Sequence, residues 1–430
     1  MVRITTKGMS DWFGLFGSST FGDGLCHFIG CMANMCVFDT SEGLVIFDLP
    51  MKQFSYKIFK AIRERTKKPV KYFIYSHGHF DHAFAFAPFI EEVGKKGWIM
   101  PEVIAHENCI KRFEKYRMLS EYHVWINKMQ FASLGILKHK NLVSALETLD
   151  PTIILKGNDA KYNFELGSIQ FDLNHDKGET DDSIWLWVPE KETICAGDLF
   201  VSSFPNIGNP FKVQRYPKDW AIALDKMLEK EAKYLVPGHG PLIKGKEKVK
   251  EALLITSEAL HFVHDEVVKR LNAGKWFEQI YYEMLEIFPK KFKNHPLLRE
   301  MYGCYRFAIH ASYRLYHGWY NSGNPTELFP SKATDIAQEF LKLNSEESYL
   351  NHAKKLFEEG KLQLALHILD VVINGINEKK GSIYLKALQL KYDILKIKVE
   401  EESSFIAANI LDNARYNIKD KIKTIQKQLK

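Results

Sequence analysis

An α/β sandwich followed by an all-helical region is the fold the sequence predicts, and three observations predict it. Short β-type runs alternate with helical stretches up to about residue 245. From Lys246 onward strand signals nearly vanish and helical periodicity runs to the end. The 430 residues also exceed what one ordinary core holds. Two domains follow, 1–245 and 246–430.

The first domain reads element by element. "MCVFDTSEGLVIFDLP" (35–50) is two strands around a Ser-Glu-Gly turn. "KQFSYKIFKAIRERT" (52–66) has helical spacing at Phe54, Ile58, Phe59 and Ile62, and the strand "VKYFIY" follows. "SIQFDLNH", "SIWLWVP", "TICAGD" and "KYLVPGHG" are further strands, the second and third joined by a turn at Glu190-Lys191-Glu192. In the second domain, residues 246–274 form one amphipathic helix closed by Gly274. "NSGNPTELFP" (321–330) interrupts the helices, and "YLNHAKKLFEEGKLQLALHILDVVING" has the alternation of a single tetratricopeptide-like hairpin. One such unit is too few for a solenoid, so a packing or dimerisation role is the expectation.

Composition narrows the function. With 46% hydrophobic and 26% charged residues the chain is a soluble globular type. A formal charge of +6, without a concentrated basic stripe, excludes an obvious nucleic-acid partner. No apolar run reaches the length of a membrane span, and the N-terminus lacks a leader's apolar core, so a cytoplasmic protein is expected. The six cysteines form no disulfide framework, and Cys26, Cys31 and Cys36 lack the spacing of a zinc ribbon.

Chemistry concentrates in "YFIYSHGHFDHAFAF" (72–86), where an apolar strand ends in His77, His79, Asp81 and His82. In an extended segment the first two imidazoles project to one side. Asp81 and His82 come where the chain turns, and so can face a neighbouring point. That suits two adjacent cations, each of which needs further ligands. Three strand ends supply them: Glu179 in "DKGETDDSIWLW", Asp198 closing "TICAGD", and His239 in "VPGHG". His77, His79 and Glu179 then serve one ion and Asp81, His82 and His239 the other. Asp198 bridges them in a two-metal hydrolytic site. Asp48, after "LVIF", is expected to orient a ligand imidazole.

In that order, "SHGHFDH", "GET", "AGD" and "PGHG" resemble the signature of the metallo-β-lactamase superfamily. Glu179 stands where most of that superfamily has a histidine, which is similar to its alkyl-sulfatase branch. "INKMQF" (126–131) resembles a segment of the branch that reaches the substrate pocket, and "YRLYHGWYNSGNPTELFP" (313–330) resembles the opening of its helical dimerisation domain. The resemblance implies an αββα sandwich and a helical domain that makes a homodimer. It implies hydrolysis of sulfate esters with an apolar tail by a metal-activated hydroxide. It also implies two divalent metal ions, with zinc first and iron or manganese as alternatives. The branch places a histidine where Phe307 stands here, and its sulfate-clamping arginine lies in a loop that here offers Lys212 and Arg215.

The expected catalytic set is therefore Asp81, Arg215, Lys212 and Asn127, the last as a neutral donor. Another ester, a phosphodiester, lactone or thioester, is the alternative substrate for the same metals. Other features are weaker. "GPLIKGKE" (240–247) has Glu247 where a phosphate-binding loop needs Ser or Thr. His106, His175 and His310 read as structural histidines. Tyr313, Tyr316, Trp319 and Tyr320 read as core or interface rings, with an apolar groove for an alkyl chain as the functional alternative.

Overall fold

A computed structural model describes residues 17–131, 147–377 and 381–429. Of these, 17–124 with 147–321 form one compact unit, and 125–131 with 322–429 form another.

The larger unit is built on two sheets. The first runs in sequential order from β1 (Gly17–Phe21), β2 (Cys26–Cys31), β3 (Ala33–Thr40) and β4 (Gly43–Phe47) to β5 (Val70–Ile74), β6 (Glu102–His106) and β7 (Ile153–Leu155). The first four strands pair antiparallel and the last four parallel. This switch follows from the connections: a tight turn joins β3 to β4, whereas α1 (Ser55–Arg63) joins β4 to β5. The second sheet has the order β13 (Ile243–Lys244), β12 (Tyr234–His239), β11 (Thr193–Val201), β10 (Ile184–Val188), β9 (Ile169–His175) and β8 (Lys161–Leu166). Residues of β9 alternate strictly between buried and half-buried, the signature of a strand with one covered face.

Phe38, Val45, Phe47 and Ile74 of the first sheet share a buried core with Phe171, Leu173, Leu186, Cys195 and Val236 of the second. The other face of the first sheet is covered by α1, α2 (Ala87–Lys96) and α3 (Glu107–Met118), through Ile58, Ile62, Phe89 and Phe113. On the far side, Trp185, Ile194 and Ala196 meet α5 (Pro217–Leu228) and α6 (Lys246–Asn272), joined by α7 (Phe277–Ile287) and α9 (Tyr305–Tyr316). Between α7 and α9 lies the short α8 (Lys290–Lys293). Helix, sheet, sheet and helix therefore stack in the expected sandwich. The last strand ends at Lys244 and helix begins at Lys246, while the compact units divide at 321/322. Strands β1, β2, β6, β7 and β13 carry too little alternation to be read in advance, whereas β8 does alternate, with Tyr162, Phe164 and Leu166 on its half-buried face, and the sequence reading omits it.

The smaller unit holds α10 (Ala333–Leu343), α11 (Glu346–Glu358), α12 (Leu362–Gly375), α13 (Ser382–Glu401) and α14 (Phe405–Gln428). Leu350, Ala353, Leu369, Val372, Tyr384 and Leu395 form its core. The helix α4 (Ser120–Gln130) runs from one unit into the other. Among the described residues no helix is long and apolar enough to cross a membrane.

Candidate metal centre

Four chain segments converge at one end of the sandwich. After β5 the chain leaves the sheet and turns at 77–82, where the His82 amide donates to His79 O at 3.1 Å. The turn is pinned to the end of β4. Leu49 N donates to His82 O at 2.8 Å and Phe84 N to Leu49 O at 2.9 Å. Glu179 sits in the loop between β9 and β10, a position expected from its place ahead of a strand. Asp198 lies inside β11, where the pairing with β12 shifts register on both sides of Gly197. Such a bulge re-aims the next side chain. His239 ends β12, and Gly238 before it has no room for a side chain: a Cβ there would lie 2.0 Å from Asp198 Oδ1.

The seven residues named from the sequence fall into two groups of potential ligand atoms. One comprises His77, His79, Glu179 and Asp198, the other Asp81, His82 and His239. In the first, His79 Nδ1 lies 2.8 Å from His77 Nε2 and 3.5 Å from Glu179 Oε2. In the second, His239 Nε2 lies 3.5 Å and His82 Nε2 4.0 Å from Asp81 Oδ2. Asp198 divides itself between them. Its Oδ1 is 3.3 Å from both His82 Nε2 and His239 Nε2, and its Oδ2 is 3.9 Å from His77 Nε2. His79 and Asp81 are half-buried and the other five are buried, so these two mark the open side.

Partners behind the ligands set which nitrogen faces inward. His82 Nδ1 donates to Asp48 Oδ2 at 2.8 Å, and His239 Nδ1 donates to Met32 O at 2.6 Å. Each ring therefore turns its Nε2 to the centre. Asp48 also accepts from Ser76 N at 2.7 Å and Ser76 Oγ at 2.9 Å, the orienting role expected of it. Gly78 N donates to Asp182 Oδ2 at 2.9 Å, and Asp182 pairs with Arg112 of α3 at 2.9 Å. This anchor escaped the sequence reading. Its only signal was the pair of aspartates, Asp181 and Asp182, that follows Glu179-Thr180.

Protonation follows the charges. Burial disfavours a charged His82 or His239, but Asp198 and Asp81 outweigh it at both, with Asp48 adding at His82. His82 is driven well above its ordinary value and His239 up to about 9. His77 and His79 go the other way, because burial dominates and neighbouring cationic groups add to it, His82 and His79 at His77 and Arg112 at His79. Asp198 is held well below the carboxylate range: burial opposes this, and His239 and His82 overcome it. His82 Nε2, Glu179 Oε2 and Asp198 Oδ1 are buried and make no hydrogen bond. Buried polar atoms are rarely left so. Three carboxylates and four imidazoles with orphaned atoms aimed at shared points fit divalent cations.

The expected substrate residues separate. Arg215 does not reach outward: it is buried, and its guanidinium donates to Glu179 Oε1 and to Asn206 O. Lys212 is half-buried, and its ammonium has no ion pair among the described residues. Burial, then Arg215, push its pKa down to about 8, against the pull of Glu179 and Asp81. Asn127 lies on α4 in the smaller unit, with Oδ1 buried and making no hydrogen bond. Phe307 is half-buried on α9. Two further residues were not foreseen. His123 is buried with Nε2 unbonded, held neutral by burial and by Lys212 to a pKa of about 4. Tyr302 is pushed well above the phenol range by burial and by Glu179, Asp81 and Asp198. Of the other histidines, His106 and His175 stack on each other at 3.8 Å as structural residues. Tyr313 is fully buried, whereas Trp319 is 68% exposed, so the core reading holds for the first ring and not the second.

Comparison with known proteins agrees with this geometry. Residues 29–239 match the model of the metallo-beta-lactamase superfamily, and residues 278–420 match that of alkyl sulfatase dimerisation. A linear primary-alkylsulfatase of Pseudomonas is 25% identical over 82% of this chain and 68% of its own length. An (R)-specific secondary-alkylsulfatase of Pseudomonas is 22% identical over 78% of this chain and 53% of its own. The solved structure of a stereoselective inverting sec-alkylsulfatase from Pseudomonas superposes with a TM-score of 0.79 at 18% identity. It covers 94% of this chain and 66% of that one. This chain thus spans about two thirds or less of these relatives' lengths, and the structural likeness speaks for the fold.

Proposed function

The chain belongs to the metallo-beta-lactamase superfamily, with a region of the alkyl sulfatase dimerisation type after it, and we propose that it hydrolyses sulfate esters carrying an apolar tail. The observation that carries this reading is Asp198 dividing its two oxygens between the two ligand groups, with Glu179 as the carboxylate of the first. The names of the relatives add the substrate class. The two halves of the reading are residues 1–245 as the catalytic domain and 246–430 as the helical domain that makes a homodimer.

Two divalent cations, zinc in the first place, would supply an activated water and positive charge for the departing oxygens. The chain does the rest. His77, His79, Glu179, Asp81, His82, His239 and Asp198 hold the two positions. Asp48 and Met32 O keep the Nδ1 protons of His82 and His239 in place. Lys212 attracts the sulfate group from the open side marked by His79 and Asp81, a role supported by its unpaired ammonium. Asn127 as a neutral donor rests on its segment's resemblance alone.

The test is inorganic sulfate release from dodecyl sulfate, kept below its micelle concentration, by zinc-loaded protein beside an Asp81→Ala control. Release that needs metal and vanishes in the control is expected. No release from protein holding two metals would move the substrate to another ester.

A further inference from the structure

The two ligand groups are backed by opposite charges, and this difference has a consequence for how they fill. Behind the Asp81, His82 and His239 group stand acceptors. The Asp48 carboxylate takes the His82 Nδ1 proton at 2.8 Å, and the Met32 carbonyl takes that of His239 at 2.6 Å. Both push electron density through the ring toward Nε2, which makes each imidazole a stronger donor. Behind the His77, His79 and Glu179 group stands a cation. Arg215 donates to Glu179 Oε1, and Asn206 Nδ2 approaches the same oxygen at 3.5 Å. Both Glu179 and Arg215 are buried, so water does little to screen the pair. His77 Nδ1 meets the neutral Ser76 hydroxyl at 3.0 Å and reaches the Asp48 carboxylate through that hydroxyl alone, without the direct bond that His82 makes.

Formal charge gives the same sign. Glu179 with Arg215 sums to zero, whereas Asp81 with Asp48 sums to two negative charges; Asp198 is common to both groups. We propose that the two cation positions differ in affinity: the Asp81/His82/His239 position fills first, and Arg215 keeps the His77/His79/Glu179 position weak by holding the one carboxylate that belongs to it alone. Arg215 is thus a positioning residue that acts through Glu179. It leaves only Oε2 for a cation and draws charge away from it. The weaker cation is then the one that exchanges with the medium, while the tighter one stays with the fold.

The inference rests on the two-cation reading above, and its test reads binding rather than turnover. Metal-free protein is titrated with Co2+ while absorbance and bound metal are followed. Two events separated by at least about tenfold in affinity are expected, the size that partners behind the ligands impose. Glu179→Gln should remove the weaker event and leave the tighter one. Arg215→Gln, which keeps a donor but no charge, should tighten the weaker event about tenfold and so narrow the gap. Asp48→Asn should weaken the tighter event. Two events of equal affinity in the unaltered protein, loss of the tighter event in Glu179→Gln, or an unchanged gap in Arg215→Gln would each overturn the proposal. If Arg215→Gln does not fold, the unaltered protein and Glu179→Gln still decide. Uptake of fewer than two cations by the unaltered protein would overturn the binuclear reading itself, and so separates that failure from this one.

Discussion

The larger unit buries charge and the smaller one buries hydrocarbon. Between the sheets and the loops above them, Asp48, His77, His82, Glu179, Asp182, Asp198, Arg215 and His239 are all buried. Each needs a partner, because a lone buried charge is costly. In the smaller unit the core is Leu350, Ala353, Leu369, Val372, Tyr384 and Leu395. Among its described residues the buried charged side chain is Arg415, which is paired with Asp412 three residues away and lies against Tyr392 and Tyr416. The difference teaches where each unit keeps its free energy. The larger unit adds to its apolar cores a binding capacity held in polar atoms left unsatisfied, whereas the smaller one holds stability in packed apolar area.

That contrast can be broken in four places. Asp198→Asn should cost the most: hydrolysis should fall by more than about a hundredfold, beyond what partners behind the ligands are worth. Thermal unfolding of metal-free protein should also come earlier, since His82 and His239 lose the buried carboxylate that pairs with them. Turnover kept within about tenfold would sink the contrast. Asp182→Ala comes next, because it leaves Arg112 buried beside an empty place and frees the Gly78 amide. A loss of about 3–5 kcal/mol in urea unfolding is expected. The folded Asp182 carboxyl lies below its usual range because Arg112 overcomes burial, so this contribution is present above pH 4 or so and is lost as pH falls further.

Leu369→Ala makes the converse case. It should destabilise the smaller unit by about 2–5 kcal/mol while sulfate release per folded molecule stays within twofold or so. The smallest effect concerns Lys212. Its pKa is lowered to about 8, so the ammonium is charged below that pH and neutral above it. kcat/KM should then fall about tenfold per pH unit on the alkaline side, and Lys212→Arg should keep the rate flat there. A profile that is identical in the two proteins would remove Lys212 from the anion's path.

Much of the fold was legible along the chain. Interleaved strands and helices predict the layers, and the four short motifs name the side chains that the strand ends bring together. This works because metal ligands come in local clusters: His77 to His82 is one turn of chain, and its spacing is visible without any tertiary contact. The strands with little alternation were missed for the reverse reason. In β6 four of five residues are buried in succession, so no period of two is left to read.

What stayed hidden depends on meetings between distant segments. The sequence by itself determined a sheet-then-helix chain, seven candidate ligands and the pairing of Asp48 with a ligand imidazole. Only the tertiary structure decided that Arg215 turns inward to Glu179, 36 residues away, while Lys212 keeps its charge free. It also decided that Asp182 ties the turn at 77–82 to α3, and that α6, α7 and α9 share the core of the second sheet. The physical reason is common to all three. A cation three residues along the same loop points inward or outward according to which carboxylate the fold has buried beside it. That is a property of neighbours in space, which local spacing does not encode.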